Sequence, residues 1–138
     1  MILLGVMGHG LRGPSRAERL RTIAEKMGVH SVMATGFHQK PPHPPRLTQQ
    51  TPRQVEEALI ADIVEGVGPN RIKAEVIGEI GISGAGPGID DIDRDEFQVL
   101  QAAAGAPRRT GDVLYVHFDN DWRSSMVNVA SGGAGMPS

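Results

Sequence analysis

Residues 73–83 read KAEVIGEIGIS, and inside the apolar run VIGEIGI (76–82) stands one carboxylate, Glu79, with a glycine on each side. A carboxylate buried in such a run costs several kcal/mol unless something pairs with it. A second apolar run, VLYVHF (113–118), carries His117 next to its last residue. A carboxylate and an imidazole together suit a divalent metal such as zinc, manganese or cobalt. Further imidazoles follow other apolar runs: His9 after ILLGVM, and His38, beside Phe37, after VHSVMAT. Each has a plainer reading. A strand glutamate is more often solvated or salt-bridged, and a single histidine at a strand end is more often packed or hydrogen-bonded than a ligand. His9, His38 and His43 fall in loops, where solvation is sufficient explanation. The GAGPG stretch (84–88) lacks the Lys-Ser/Thr of a phosphate-binding loop and the spacing of a dinucleotide fingerprint. DIDRDE (91–96) has acids in the manner of a calcium loop, but its glycine and terminal glutamate are misplaced. A helix start rich in acids explains it.

These residues need elements to hold them. ILLGVM (2–7) is a short continuous apolar run, as in a strand buried on both faces. Ser15 is expected to open a helix, with Glu18 completing a capping box, Leu20, Ile23, Ala24 and Met27 as its apolar stripe, and Gly28 at its end. Strands are expected over 29–35, 73–82 and 113–118. The loop over 36–50 holds four prolines and is expected to be irregular. Thr51, Pro52 and Gln54 mark a second helix start, and Asp93 a third. Pro107 is expected to end or kink that third helix, and GPN (68–70) to form a turn. The tail beyond residue 120 reads as a short helix at most.

Strand and helix alternate four times, which implies right-handed crossovers and a parallel sheet. Two α/β architectures remain open at this point: a small doubly wound sheet, or part of an eight-fold barrel. In both, sites gather at the C-terminal ends of the strands, where Glu79 and His117 fall. The Gly78–Glu79 step is a candidate bulge, so strand parity alone does not say which way Glu79 points.

Length and composition fit one domain, residues 1–138, with no internal boundary. Apolar residues make up 39% of the chain but aromatics only 4%, so the core must be aliphatic. The net charge of −2 provides no basic field for nucleic acid and no polybasic stretch for a membrane. Without cysteine there are neither disulfides nor thiolate metal sites. The opening MILLGVM is too short for a membrane span and has no basic flank or cleavage site, so a soluble cytoplasmic protein is expected.

Taken in order, the segments resemble the phosphotriesterase-like branch of the amidohydrolase superfamily. GHGLRGPSRAERLRTIAEKMGVHSVMATGF is similar to the end of that family's second strand through its third. VEEALIADIVEGV, IKAEVIGEIGIS, VLQAAA, RRTGDVLYVH and GAGMPS resemble the segments that follow, in the right order and spacing. The resemblance implies a partial (β/α)8 barrel, the second to fifth βα units, with about four parallel strands. It implies a zinc-type metallohydrolase acting through a metal-bound hydroxide on a small-molecule ester, lactone, phosphotriester or amide. Glu79 maps to the ligand that bridges two metals, His117 to a ligand of the second metal, and Phe37 and His38 to the loop lining the substrate pocket. Related sequences often carry tyrosine where this one has His38, which leaves the substrate class open. The family's first-strand His-x-His, sixth-strand His and eighth-strand Asp have no counterpart in the matching segments. Two of six expected protein ligands are therefore present. A non-catalytic remnant or interaction module is the alternative to an enzyme. An isolated sheet of this kind is expected to expose inner-face residues such as Ile77 and Tyr115, and to self-associate or take up a complementary fragment.

Overall fold

A computed structural model describes residues 2–7, 14–38, 45–83 and 92–118. His9, His43, the GAGPG stretch and the tail lie outside the described residues. The order of elements is β1 (Ile2–Met7), α1 (Pro14–Met27), β2 (His30–Thr35), a short 3-10 helix (Pro45–Gln49), α2 (Pro52–Val64), β3 (Val76–Ile82), α3 (Arg94–Thr110) and β4 (Val113–Phe118). The four strands form one sheet in the order β1-β2-β3-β4. All three pairings are parallel. Sequential order with helices on one face is barrel-wall topology and removes the doubly wound alternative. No described helix is long and apolar enough to cross a membrane.

The helices lie on one face because the strands bury one set of side chains there. Ile77, Ile80 and Ile82 of β3 join Val55 and Leu59 of α2 and Val99 of α3 in the main core. A smaller cluster sets Ala17 of α1 against Met33 of β2, with Ile63 of α2 packed on both. Each fully buried aliphatic side chain contributes about 1.5–3 kcal/mol from burial. Two polar contacts lie in this layer with their partners supplied. Thr35 donates to the Asp62 carboxylate at 2.5 Å. Buried Glu96 accepts from the Ser83 backbone N–H at 2.8 Å and from its hydroxyl at 2.7 Å. On the outer surface Arg109 bonds Glu57 at 2.6 Å and holds that carboxyl below its usual range. Both groups are exposed, so the pair adds little stability.

The caps of α2 and α3 follow the sequence reading. Gln54 N–H donates to the Thr51 hydroxyl and Thr51 N–H to the Gln54 side chain. Asp93 accepts from Asp95 N–H at 2.8 Å. Other expectations are corrected. α1 starts at Pro14, so Ser15 is inside the helix rather than its cap. Glu18 accepts instead from the Asn70 amide at 2.9 Å. α3 runs through Pro107 to Thr110. By then the helix is long enough to lose one backbone bond, and Gly111, left-handed at φ 82°, ends it with its N–H on the Pro107 carbonyl. Part of the proline-rich loop is regular. Its 3-10 helix buries Leu47 completely, and the Gln98 amide bonds the carbonyls of Leu47 and Gln50. β3 starts at Val76 rather than Lys73.

The most consequential correction concerns Ile77. It is fully buried among the helices, not exposed on the inner face. The cause is a register shift: Ile77 pairs with Leu114, and the next pair is Ile80 with Val116. Gly78 and Glu79 together stand opposite Tyr115. This bulge puts Ile77 and Ile80, three residues apart, on the same side. Tyr115 remains 49% exposed, as expected for the face away from the helices.

Candidate metal centre

The bulge decides where Glu79 points. With Ile77, Ile80 and Ile82 committed to the core, Glu79 is turned to the opposite face, where its side chain is 27% exposed. His117 alternates with Leu114 and Val116, which pack on the core, and so shares the open face with Val113 and Tyr115. Adjacent parallel strands then bring the two together. His117 Nδ1 lies 2.6 Å from Glu79 Oε1, a close imidazole–carboxylate contact.

A third residue meets them. His38 Nε2 lies 3.7 Å from Glu79 Oε2. Each carboxylate oxygen therefore faces one imidazole. One ligand atom from each of His38, Glu79 and His117 falls within 4.8 Å of the other two. The two rings are 5.5 Å apart and tilted by 38°, so they are not stacked. All three side chains are partly exposed. The family resemblance implies a pocket-lining His38; its closeness to Glu79 is not legible in the sequence. The available signal was its place just past the end of the strand that neighbours Glu79's own.

Phe37 is placed differently from His38. It is 4% exposed and packs into the helix-side core. Its carbonyl accepts from Gly81 N–H at 3.0 Å, beyond the bulge. Phe37 thus anchors the chain immediately before His38 by packing and by one strand-to-strand bond.

Two glycines make this close approach workable. A Cβ on Gly36 would lie 2.9 Å from Ile80 Cδ1 and 3.1 Å from the Gly78 carbonyl. A Cβ on Gly78 would lie 2.7 Å from the Tyr115 carbonyl oxygen, at a φ of +155° that L side chains rarely adopt. Gly78→Ala is therefore expected to destabilise the fold by about 1–3 kcal/mol and to move Glu79 away from His117. Urea unfolding measures the first effect. A zinc titration of the folded fraction measures the second, and wild-type values in both would show that the bulge tolerates a side chain.

Two imidazole nitrogens and a carboxylate oxygen form a donor set suited to zinc, cobalt or manganese. Bonds of about 2.1 Å in a tetrahedral zinc site put neighbouring ligand atoms about 3.4 Å apart. The 3.7 Å pair is already near that, and the 2.6 Å pair reaches it by opening less than about 1 Å. The donor set fits a divalent ion. A separate groove of about 340 Å³, lined by Arg21, Glu25, His30, Lys73 and Glu75 among others, lies at the N-terminal end of the strands, away from these groups.

Known proteins share parts of this sequence and fold. A sequence model described as "Phosphotriesterase family" matches residues 6–130. The rat protein named N-acetyltaurine hydrolase is 35% identical over 113 residues, which is 81% of this chain and 31% of the relative. The human protein of that name is 30% identical over 100 residues, 72% of this chain and 27% of the relative. This chain therefore spans between a quarter and a third of the length of the curated relatives it matches. Among solved structures, the phosphotriesterase homology protein from Escherichia coli superposes with a TM-score of 0.83 at 20% identity, covering 99% of this chain and 44% of that one. A resiniferatoxin-binding protein from Rhodobacter sphaeroides gives 0.75 at 25% identity, over 88% of this chain and 32% of that one. The fold is thus that of part of a phosphotriesterase-like barrel, and the chain belongs to the phosphotriesterase family.

Proposed function

We propose that residues 1–138 form a single partial-barrel unit of a metal-dependent hydrolase, with Glu79 and His117 as metal ligands and zinc as the first candidate metal. The observation that carries this reading is the 2.6 Å pairing of the Glu79 carboxylate with the His117 imidazole at the C-terminal ends of adjacent parallel strands. That is where barrel enzymes keep their chemistry. A divalent ion held there supplies Lewis-acid polarisation of the scissile bond and acidifies a water. Glu79 offsets the ion's charge and offers an oxygen to each side of the site. His117 orients that carboxylate from β4. The part-exposed open face leaves room for a small substrate beside them.

The substrate is a small molecule with an amide, ester, lactone or phosphotriester bond. The relatives named N-acetyltaurine hydrolase favour the amide. The test is fragment complementation. The zinc-loaded chain is mixed with a polypeptide carrying the remaining barrel segments of one of those relatives, and N-acetyltaurine, a lactone and a phosphotriester are offered in turn. Zinc-dependent turnover that Glu79→Gln abolishes supports the reading. Zinc binding without turnover in any combination would favour a non-catalytic role for this chain.

A further inference from the structure

We propose that His38 is a third metal ligand, so that three described side chains, not two, contribute to the metal centre. This rests on the metal-site reading above and extends it to a residue that the family resemblance places in the loop lining the substrate pocket.

The argument begins with the carboxylate. Glu79 has its Oε1 at His117 Nδ1 and its Oε2 toward His38 Nε2. An ion seated on the carboxylate has one imidazole on each side. The 3.7 Å gap to His38 exceeds hydrogen-bonding distance, yet it is close to the spacing of two donors on one zinc. The tilt of 38° between the rings, with their centroids 5.5 Å apart, lets both nitrogens converge on a common point. Three protein ligands with a remaining position toward solvent is the pattern of a zinc site that retains an open coordination position.

The backbone supports the same reading. His38 follows β2 directly, and the bond from Gly81 N–H to the Phe37 carbonyl continues the β2–β3 contact past the bulge. Phe37, buried in the core, fixes the preceding residue. His38 is therefore held at the sheet edge by the same bulged strand that presents Glu79. A ligand on such an anchor loses less conformational freedom on binding than one on a free loop.

The experiment uses the full 138-residue chain with zinc, followed by a competing chromophoric chelator, and with 15N-labelled histidine. Zinc is expected to shift the Nε2 resonance of His38 and the Nδ1 resonance of His117 together at one equivalent. His38→Ala is expected to weaken zinc binding by more than about tenfold, the low end of what losing even an outer partner of a ligand does. His30→Ala, at the other end of β2, serves as the control and leaves the affinity unchanged. The wild-type resonances read out ligation without any substitution, so a poorly folded variant does not block the test. An unshifted His38 Nε2 at saturating zinc overturns the proposal. If the His117 resonance still responds and Glu79→Gln still weakens zinc binding, the two-ligand reading stands without His38. If neither Glu79→Gln nor His117→Ala alters zinc affinity, that underlying reading fails as well.

Discussion

Glu79→Gln is expected to abolish zinc stabilisation of the chain. The substitution keeps the side chain's size and removes the charge that a divalent ion needs. At a zinc concentration about 100 times the dissociation constant, binding to the native state alone is worth about 2.7 kcal/mol, on the order of 10 °C in Tm for a chain of this size. The wild-type chain is expected to show that rise, and Glu79→Gln none of it. In the absence of metal the two proteins are expected to melt within a few degrees of one another. The carboxylate is part-exposed, and a contact between part-exposed polar groups such as Glu79 and His117 contributes about 1 kcal/mol or less. A thermal scan with and without zinc makes the comparison. An equal zinc response in both proteins would remove Glu79 from the metal site.

The second large effect concerns the chain on its own. It is expected to self-associate and to show no turnover of an amide, lactone or phosphotriester above the background of free zinc. Among the described residues, β1 and β4 each have a neighbour in the sheet on one side only. The face away from the helices carries Val113, 66% exposed, and Tyr115, 49% exposed. Strand edges and apolar faces of this kind recruit other chains. Catalysis also needs a water and a substrate held to within a fraction of an ångström, which an open half-site does not provide. Light scattering after gel filtration is expected to give a dimer or larger species that dissociates when a complementary barrel fragment is added. A monomer that hydrolyses such a substrate, and loses that activity on His117→Ala, would contradict this expectation.

Much of the wall of the barrel was legible from local chemistry. The strand–helix alternation, the capping box at Thr51 and the cap at Asp93 depend on residues within three or four positions of one another, and the structure contains them. The expectations that failed locally did so where tertiary contacts outweighed them. Ser15 had the form of a cap, but Glu18 was taken by Asn70, which lies 52 residues away. The proline-rich loop gained a helical turn because burying Leu47, and bonding its carbonyl to Gln98, required an ordered backbone. Pro107 did not stop α3, whose buried alanines were already packed against the sheet.

By itself the sequence determined the residue types at the site, the order of the elements that carry them, and the end of the sheet at which they fall. These follow from periodicity and from the handedness of parallel crossovers. Only the tertiary structure decided which faces those residues occupy. A single bulge at Gly78–Glu79 reverses the parity of β3, sends Ile77 into the core and turns Glu79 toward His117. It also decided the different fates of Phe37 and His38, adjacent in sequence: one anchored among the helices, the other brought beside the carboxylate. The physical reason is that a one-residue slip in strand register is silent in the local sequence pattern, yet it moves every following side chain to the opposite face.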